Sequence, residues 1–283
     1  MKLATLRDQT LVVLTSETAV PLSKVGYVGN MKNFIIDICK KPDLLNEIKA
    51  KILEVKDSIK LIPEDFDAPI KNPNKIVAIG LNYAEHAGES KMNIPVHPLA
   101  FAKFPSSITG PTGTIEIPVT ITRQVDYEVE LGVIIGKETK NVAEGNALNY
   151  VFGYTVLNDI SARDIQFSES QCVRAKSFDT FCPLGPVIVT SDEIMDPQNL
   201  ELGCEVNGRV MQYDNTKNMV FGVAELISRL SHSFKFEPGD IIATGTPSGV
   251  GFSRKHPVFL KEGDLIRSWI EGIGELSNAV SEI

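Results

Sequence analysis

The segment Tyr127-Glu128-Val129-Glu130-Leu131, which continues into the apolar run 131–135, decides how this chain folds. Alternate side chains of a strand point to opposite faces, so the two glutamates share one face and their apolar neighbours the other. The run 131–135 is typical of a strand that is covered on both sides. Two adjacent carboxylates beside such a strand repel each other, resist ionisation, or bind a divalent cation. The alternative is a strand with one solvated acidic face.

Length and composition predict a globular protein with a substantial core. The chain has 283 residues, of which 43% are hydrophobic, enough for one large domain or for a large domain with a small partner. Charged residues make up 23%, and the formal net charge is -8. This charge argues against a nucleic-acid binder, which needs a basic face. The net negative charge does not exclude anionic small-molecule ligands, because local cationic side chains can bind them.

Cysteine usage and hydropathy indicate where the protein works. The four cysteines show no C-x-x-C spacing and are typical of reduced thiols in the cytosol. The N-terminal residues lack the apolar core of a signal peptide, and no segment approaches about 20 unbroken apolar residues. We therefore expect a cytoplasmic protein with no membrane partner.

Strand patterns and one turn-rich stretch, residues 63–73, indicate how the chain is organised. Short strands at 3–6 and 11–14 and an amphipathic helix over 42–56 predict a small leading domain, residues 1–70. The second domain, residues 71–283, is dominated by short apolar strands. They are predicted at 75–80, 129–135, 151–157, 187–189, 202–206 and 240–243, with one clear helix at 220–230. Regular alternation of strands and helices is absent, so the predicted class is mainly β with helices, α+β.

Asp159 follows a predicted strand and is the third carboxylate of interest. Its simplest role is that of a helix N-cap. If a helical turn begins there, Asp159, Arg163 and Gln166 share one face that could grip a small acid. Joined with the two glutamates, Asp159 would complete a set of three carboxylates that suits Mg²⁺ or Mn²⁺. Zinc is less favoured without clustered His or Cys.

Two lysines lie in stretches that should be partly buried. Lys176 stands among small and aromatic residues, and a buried lysine needs a partner. A salt bridge to Asp179 or another acid is one possibility, and contact with a substrate carboxylate or enolate oxygen is the other. Lys103, between two phenylalanines, is a minor candidate that could also extend to the surface.

His86 and Glu89 stand three residues apart and would be neighbours on a short helix. A histidine oriented by a carboxylate is a ready general base for water, and the alternative is an exposed surface pair. The surrounding segment has no G-x-G-x-x-G motif, so dinucleotide binding is not supported.

Farther along, the glycine-rich turn 243–251 ends a strand. Its amide groups could reach an anion, although a plain tight turn uses the same residues.

In order and spacing these motifs resemble the fumarylacetoacetate hydrolase family over about residues 70–280. The matching segments are Gly80-Leu81-Asn82-Tyr83 with His86, Lys103-Phe104-Pro105-Ser106-Ser107, 126–131, 158–164, Lys176, Gly185-Pro186 and 239–247. The resemblance implies a β-sandwich roll with a small N-terminal α/β domain. Residues before Lys75 carry no motif match and are similar to the leading domain of longer members only in a general way.

The resemblance also assigns roles to individual residues. It implies a Mg²⁺ or Mn²⁺ site formed by Glu128, Glu130 and Asp159. It implies a catalytic Lys176 and, over the site, a lid that carries the catalytic pair His86 and Glu89. The substrate contacts expected are Arg163, Gln166, Gly245 and Thr246, with Lys103 as a further candidate.

The resemblance also implies an enzyme that acts on a small 2-keto acid and is commonly a homodimer. The expected reaction cleaves a carbon-carbon bond through an enolate that the cation stabilises, by acylpyruvate hydrolysis, oxaloacetate decarboxylation, or both. The alternatives within the family are an isomerase of the 2-hydroxyhepta-2,4-diene-1,7-dioate type, a sugar-acid hydrolase or dehydratase, and a ureidoglycolate lyase. An inactive metal-stabilised scaffold or partner-binding protein is the non-enzymatic alternative. No sequence rule interprets residues 167–174, which would separate these activities.

Overall fold

The computed structural model describes residues 1–15 and 18–283, and strands predominate within them. The strands are β1 (Lys2–Leu6), β2 (Leu11–Leu14), β3 (Ala19–Pro21), β4 (Phe66–Asp67), β5 (Ile76–Gly80), β6 (Leu99–Lys103), β7 (Ile108–Thr109), β8 (Ile115–Ile117), β9 (Val125–Asp126), β10 (Val129–Ile135), β11 (Val151–Asn158), β12 (Ser161–Ala162), β13 (Cys182–Thr190), β14 (Glu201–Val206), β15 (Arg209–Asn215), β16 (Ile241–Ala243), β17 (Leu265–Ile270) and β18 (Gly274–Glu282). The α-helices are α1 (Met31–Lys40), α2 (Asp43–Glu54), α3 (Ala84–Glu89), α4 (Arg163–Ser168), α5 (Val173–Lys176) and α6 (Val223–Ser233). Short 3-10 helices lie at Leu22–Val25, Pro63–Asp65, Pro105–Ser107, Glu144–Tyr150 and Thr216–Asn218. The predicted class, mainly β with helices, is confirmed.

Most strands belong to two sheets. The larger has the order β3-β2-β1-β13-β11-β10-β16-β5-β6, with β4 beside β1 and β7 beside β13. The smaller has the order β15-β14-β17-β18-β8, and β9 pairs separately with β12. Within the larger sheet β10 and β11 run antiparallel, with Val129 opposite Asn158, whereas β16 and β5 run parallel. This register brings the start of β10 beside the end of β11.

Two hydrophobic cores lie on opposite faces of the larger sheet. Leu131 and Val133 of β10 pack into the main core together with Leu202 and Ile266 of the smaller sheet. Ile134 packs into the second core, which includes residues of α1 and α2. Odd-numbered residues of β10 therefore face the smaller sheet. The even-numbered Glu130 and the preceding Glu128 are on the opposite face, as the alternation of a strand requires.

The leading segment extends the larger sheet, because β1 pairs with β13 and places Leu3 opposite Ile188. Phe34 of α1 and Ile48 of α2 are buried in the second core. Residues 1–70 and 71–283 thus contribute strands to one sheet, and their division into two domains stays a prediction.

The helices show where local patterns mislead. The helix predicted at 220–230 begins at Val223, after Gly222 in an extended conformation. Helix α1 was not predicted, although it buries Phe34 and Ile35 and is capped by Asn30, whose side chain accepts the Asn33 amide proton. Among the described residues, none of the helices is long and apolar enough to cross a lipid bilayer.

Candidate active site

Three carboxylates meet where β10 begins and β11 ends. The Asp159 amide donates to the Glu128 carbonyl over 2.8 Å, so the strand pairing continues one step beyond Asn158. One carboxylate oxygen from each of Glu128, Glu130 and Asp159 lies within 4.8 Å of the other two. Their exposed fractions are 5%, 1% and 0%, respectively. This burial excludes the solvated acidic face.

Two roles considered for Asp159, that of a helix N-cap and that of a member of one helical face with Arg163 and Gln166, are wrong. Helix α4 begins at Arg163, with Ala162 at its N-cap position. Residues 161–162 form β12 and pair with β9, so no helical turn starts at Asp159. Asp159 is therefore neither the cap nor part of a helical face with Arg163 and Gln166. Tertiary pairing of β12 overrides the local preference for a capped helix.

Buried cations surround two of the carboxylates. Lys176 Nζ donates to Glu128 Oε2 over 2.6 Å and to Asp159 Oδ2 over 2.7 Å. Arg163 Nη2 lies 2.7 Å from Glu128 Oε1, and Lys103 Nζ lies 2.7 Å from Asp159 Oδ1. Lys176 thus pairs with two of the predicted metal ligands, and Asp179 is not among its ion-pair partners in the described part of the chain.

Glu128 and Glu130 differ in their electrostatic environment. Burial raises the pKa of Glu128, but the charges of Lys176 and Arg163 outweigh it and lower that pKa to about 2. Burial, with the nearby charges of Asp159 and Glu128, raises the pKa of Glu130 well above its usual value. Glu130 forms no ion pair with any described residue, and its Oε2 accepts only the Gly245 amide proton, over 2.8 Å.

The donor set fits a divalent cation. In the described part of the chain, the acids at the site are Asp126, Glu128, Glu130 and Asp159, the bases are Lys103, Arg163 and Lys176, and His86 lies near Glu128. With every acid ionised and His86 neutral, four formal negative charges face three positive ones, and Glu130 is the carboxylate that has no ion pair among the described residues. Carboxylate oxygens at this spacing are the ligands that Mg²⁺ and Mn²⁺ prefer. A bound cation would make the site net positive, as an anionic substrate requires.

The predicted pair of His86 and Glu89 forms on α3. His86 Nδ1 lies 2.9 Å from Glu89 Oε1, and the histidine is buried. Glu89 also accepts the Gly249 amide proton at 3.0 and 3.1 Å from its two oxygens. Burial raises the pKa of Glu89, but hydrogen bonds from His86 and Gly249 outweigh it and keep that pKa below its usual value. An ionised Glu89 orients the ring and leaves Nε2 for a ligand. The alternative of an exposed surface pair is excluded.

Residues 244–252, here called the glycine loop, hold the protein's own carboxylates. Besides the amides of Gly245 and Gly249, which bind Glu130 and Glu89, Gly251 N donates to Asp126 Oδ1 over 2.7 Å. Asp126 in turn accepts from Arg163 Nε over 2.9 Å. The anions expected from the sequence at this turn are thus internal side chains.

Three supporting residues were not predicted as site residues. Asp126 fixes Arg163, and Asn158 Oδ1 accepts the Glu128 amide proton over 2.8 Å. Gln212 Oε1 accepts from Val129 N over 3.0 Å, and its Nε2 donates to Thr246 Oγ1 over 2.8 Å. Asp126 offers a signal, since it stands two residues before Glu128 and continues the acidic alternation. Gln212 offers none, because its contacts are set by tertiary pairing.

A cavity of about 160 Å³ opens beside this cluster. It is lined by Ile79, Gly80, Leu81, His86, Ser90, Met92, Leu99, Phe101, Glu128, Arg163, Gln166, Phe167, Cys172, Lys176, Thr246 and Phe252. Gln166 Oε1 accepts from Arg163 Nη1 over 2.8 Å, so these two predicted substrate contacts lie side by side. The Gly245 amide binds Glu130, whereas Lys103 lies beside Asp159 and donates to the Phe181 carbonyl over 3.0 Å. Their roles as substrate contacts stay predictions.

Comparisons with known proteins identify the family of the chain. A fumarylacetoacetate hydrolase domain-containing protein 2 homolog from Dictyostelium discoideum is 46% identical, over 88% of this chain and 90% of its own length. Oxaloacetate tautomerase Fahd2a, mitochondrial, from Rattus norvegicus is 47% identical, over 78% of this chain and 71% of its own length. Maleylpyruvate hydrolase from Sphingobium sp. SYK-6, solved with manganese(II) and pyruvate, is 32% identical, covers 100% of this chain and 99% of its own, and has a TM-score of 0.84. The family model for the fumarylacetoacetate (FAA) hydrolase C-terminal region matches residues 75–281. The chain belongs to the fumarylacetoacetate hydrolase family.

Proposed function

We propose that this protein is a divalent-cation-dependent enzyme that forms the enolate of a small 2-keto acid, with keto-enol tautomerisation of oxaloacetate as its principal reaction. The observation that carries the proposal is the buried cluster of Glu128, Glu130 and Asp159, in which Glu130 has no ion-pair partner among the described residues. Two comparisons support the substrate class: the rat relative is named an oxaloacetate tautomerase, and the Sphingobium relative holds manganese and pyruvate. The cytoplasmic location and homodimer expected from the sequence stay predictions.

The three carboxylates of the cluster would bind the cation. Glu128, Glu130 and Asp159 would hold Mg²⁺ or Mn²⁺, which supplies Lewis-acid stabilisation of enolate charge when bound. Lys176 adds a fixed positive charge at the same place, because its ammonium is held by Glu128 and Asp159. Such preorganised charge costs no reorganisation when the enolate develops.

Arg163 orients the substrate. Its Nε is fixed by Asp126 and its Nη1 by Gln166, at 2.9 and 2.8 Å. The guanidinium is therefore held in one orientation in the cavity lining, where a substrate carboxylate would bind. Because the partners of Arg163 are in place before the ligand arrives, binding loses little side-chain entropy.

His86 is the proton carrier in this proposal. Glu89 accepts from Nδ1, which leaves Nε2 as the proton-accepting nitrogen of a side chain that lines the cavity. The imidazole takes the proton from carbon 3 of the keto acid and delivers it to the enol oxygen, or the reverse. The proton that leaves one atom arrives at the other, so no water or other reactant is consumed.

A second candidate reaction is hydrolysis of the carbon-carbon bond of an acylpyruvate. The same His86-Glu89 pair favours it, since the imidazole can remove a proton from water instead of from carbon. The Sphingobium relative is named a hydrolase of such a compound. Decarboxylation of oxaloacetate shares the enolate but needs no water.

The proposal is tested with protein that has been treated with a chelator and reloaded with Mg²⁺ or Mn²⁺. We expect cation-dependent loss of the ultraviolet absorbance of enol-oxaloacetate. His86→Gln should lower this rate by about 10²- to 10⁴-fold, the usual contribution of a general base, while the Mn²⁺ affinity stays unchanged. His256→Gln, at an exposed histidine, is the matched control. Full activity of His86→Gln, or activity without a cation, would contradict the assignment. Acylpyruvate hydrolysis is measured in parallel, and its rate tests the second candidate reaction.

A further inference from the structure

The cavity has a charged end and an apolar wall that begins directly beside it. The Arg163 guanidinium lies over the ring of Phe252, 4.5 Å from its centre. Lys176 Nζ lies 5.4 Å from the centre of the Phe101 ring. The two cations that face a substrate head group are thus each flanked by an aromatic ring, and the lining changes from charged to apolar at these rings.

The mouth of the cavity is also apolar. Phe167 contacts Phe252 edge-on, with ring centres 5.1 Å apart. Phe167 is 53% exposed, and Leu99 and Met92 are each 50% exposed, so these three lining side chains are open to solvent. Large apolar side chains that are half exposed at the rim of a cavity are available to a ligand.

The described lining offers no free cation for a second, distant carboxylate. Its charged or titratable side chains are His86, Glu128, Arg163, Cys172 and Lys176, of which Arg163 and Lys176 are the permanent cations. Arg163 lies 2.7 Å from Glu128, and Lys176 lies 2.7 Å from Asp159, so both cations are already paired at the charged end. A carboxylate packed against the apolar wall would lose part of its hydration without gaining a cation as partner, which is costly.

We propose that the site selects 2-keto acids whose far end is uncharged and apolar, and that Phe167, Leu99 and Met92 contact that end. This inference rests on the proposed function and adds the substrate class. Oxaloacetate is compatible, because its second carboxylate is two carbons from the keto group and stays at the charged end. Longer keto acids with a terminal carboxylate are selected against.

The test compares two ligands that differ only at the far end. Binding of 2-oxohexanoate and of 2-oxohexanedioate is measured by titration calorimetry in the presence of Mg²⁺, with oxaloacetate as the reference. We expect the monocarboxylate to bind about tenfold tighter or more. Phe167→Arg, and separately Leu99→Arg on a different element, should strengthen dioate binding by about tenfold through a new ion pair. Met195→Arg adds the same charge at a residue that is 99% exposed and outside the cavity lining, and it should change neither affinity.

Equal or tighter binding of the dioate to the unmodified protein, with oxaloacetate still bound, would overturn the tail assignment alone. The same conclusion follows if both arginine variants leave dioate binding unchanged. Failure of oxaloacetate and of both test ligands to bind would instead overturn the proposed function, and the tail assignment with it.

Discussion

Glu128 and Glu130 are two residues apart on one strand face, yet their partners differ. Glu128 contacts two cations, Lys176 and Arg163, whereas Glu130 accepts one backbone amide proton, from Gly245. Removing charge from a paired buried carboxylate leaves its partners uncompensated, but removing it from an unpaired one relieves repulsion. The two positions should therefore respond oppositely in the metal-free protein.

We expect Glu130→Gln to leave the metal-free protein as stable as before or more stable, while weakening Mn²⁺ binding by about 100-fold or more. The amide keeps the size of the side chain but removes one of three anionic ligands. Chemical denaturation of the metal-free protein and calorimetric Mn²⁺ titration give the two values. A Glu130→Gln protein that binds Mn²⁺ normally would remove Glu130 from the ligand set.

Glu128→Gln is the matched control at the paired position. It should cost about 3–5 kcal/mol of unfolding free energy in the metal-free protein, because Lys176 and Arg163 lose a buried partner. It should also weaken Mn²⁺ binding. If both glutamine variants had equal metal-free stability, the difference in pairing would have no energetic meaning.

At the scale of single residues, the sequence predicted side chains whose chemistry is unusual for their setting. Glu128 and Glu130 interrupt an apolar strand, and His86 and Glu89 are neighbours on one short helix, so local spacing reveals both pairs. Gln212 escaped prediction because it bonds Val129, 83 positions away. A contact of that separation depends on sheet register, which local patterns do not contain.

The glycine loop is the element that joins the parts of the site. Its amides bind Glu130, Glu89 and Asp126, which lie on β10, α3 and β9. Gly249 has a φ of +105°, and a Cβ there would lie 2.1 Å from the Met211 carbonyl oxygen. The loop can therefore reach Glu89 only with glycine at this position.

We expect Gly249→Ala to displace the loop and lower turnover by about 10- to 100-fold, the usual effect of losing a supporting contact, with Mn²⁺ affinity less affected. Gly263→Ala is the matched control: its φ is +82°, but a Cβ there meets no atom within 4 Å. The control should lose about 1 kcal/mol of unfolding free energy and no activity. Steady-state kinetics and denaturation of both variants check this, and a fully active Gly249→Ala would show that the loop does not position Glu89.

Among the larger elements, buried strands were predictable and exposed ones were not. Strand β10 is buried along its whole length, so a continuous apolar run predicts it. Strand β17 alternates buried and partly exposed residues, and Arg267 within it pairs with Glu205 and Glu275 on the neighbouring strands. Those ion pairs stabilise the charged Arg267 side chain within the strand, but they exist only once the smaller sheet has formed.

Across the whole molecule, folding brings distant parts of the chain to one place. Glu128, Asp159 and Gly245 come from separate strand ends, joined by the pairing of β10 with β11 and β16. The resemblance to a known family assigned these residues together, whereas spacing alone left the solvated strand and the helix cap open. A site assembled by sheet pairing is rigid only as long as the sheet is intact, so cation binding and global stability are linked.

Removing the cation should therefore lower the melting temperature of the entire protein. The three carboxylates converge only in the folded chain, so a cation binds the folded state and stabilises it by about 2.7 kcal/mol at 100 times its dissociation constant. For a chain of this size that corresponds to about 5 °C or more. Thermal unfolding is compared in excess Mg²⁺ and in chelator, for the unmodified protein and for Glu130→Gln. The shift in melting temperature between the two conditions should appear in the unmodified protein and largely vanish in Glu130→Gln. An equal shift in both proteins would place the stabilising cation elsewhere on the molecule.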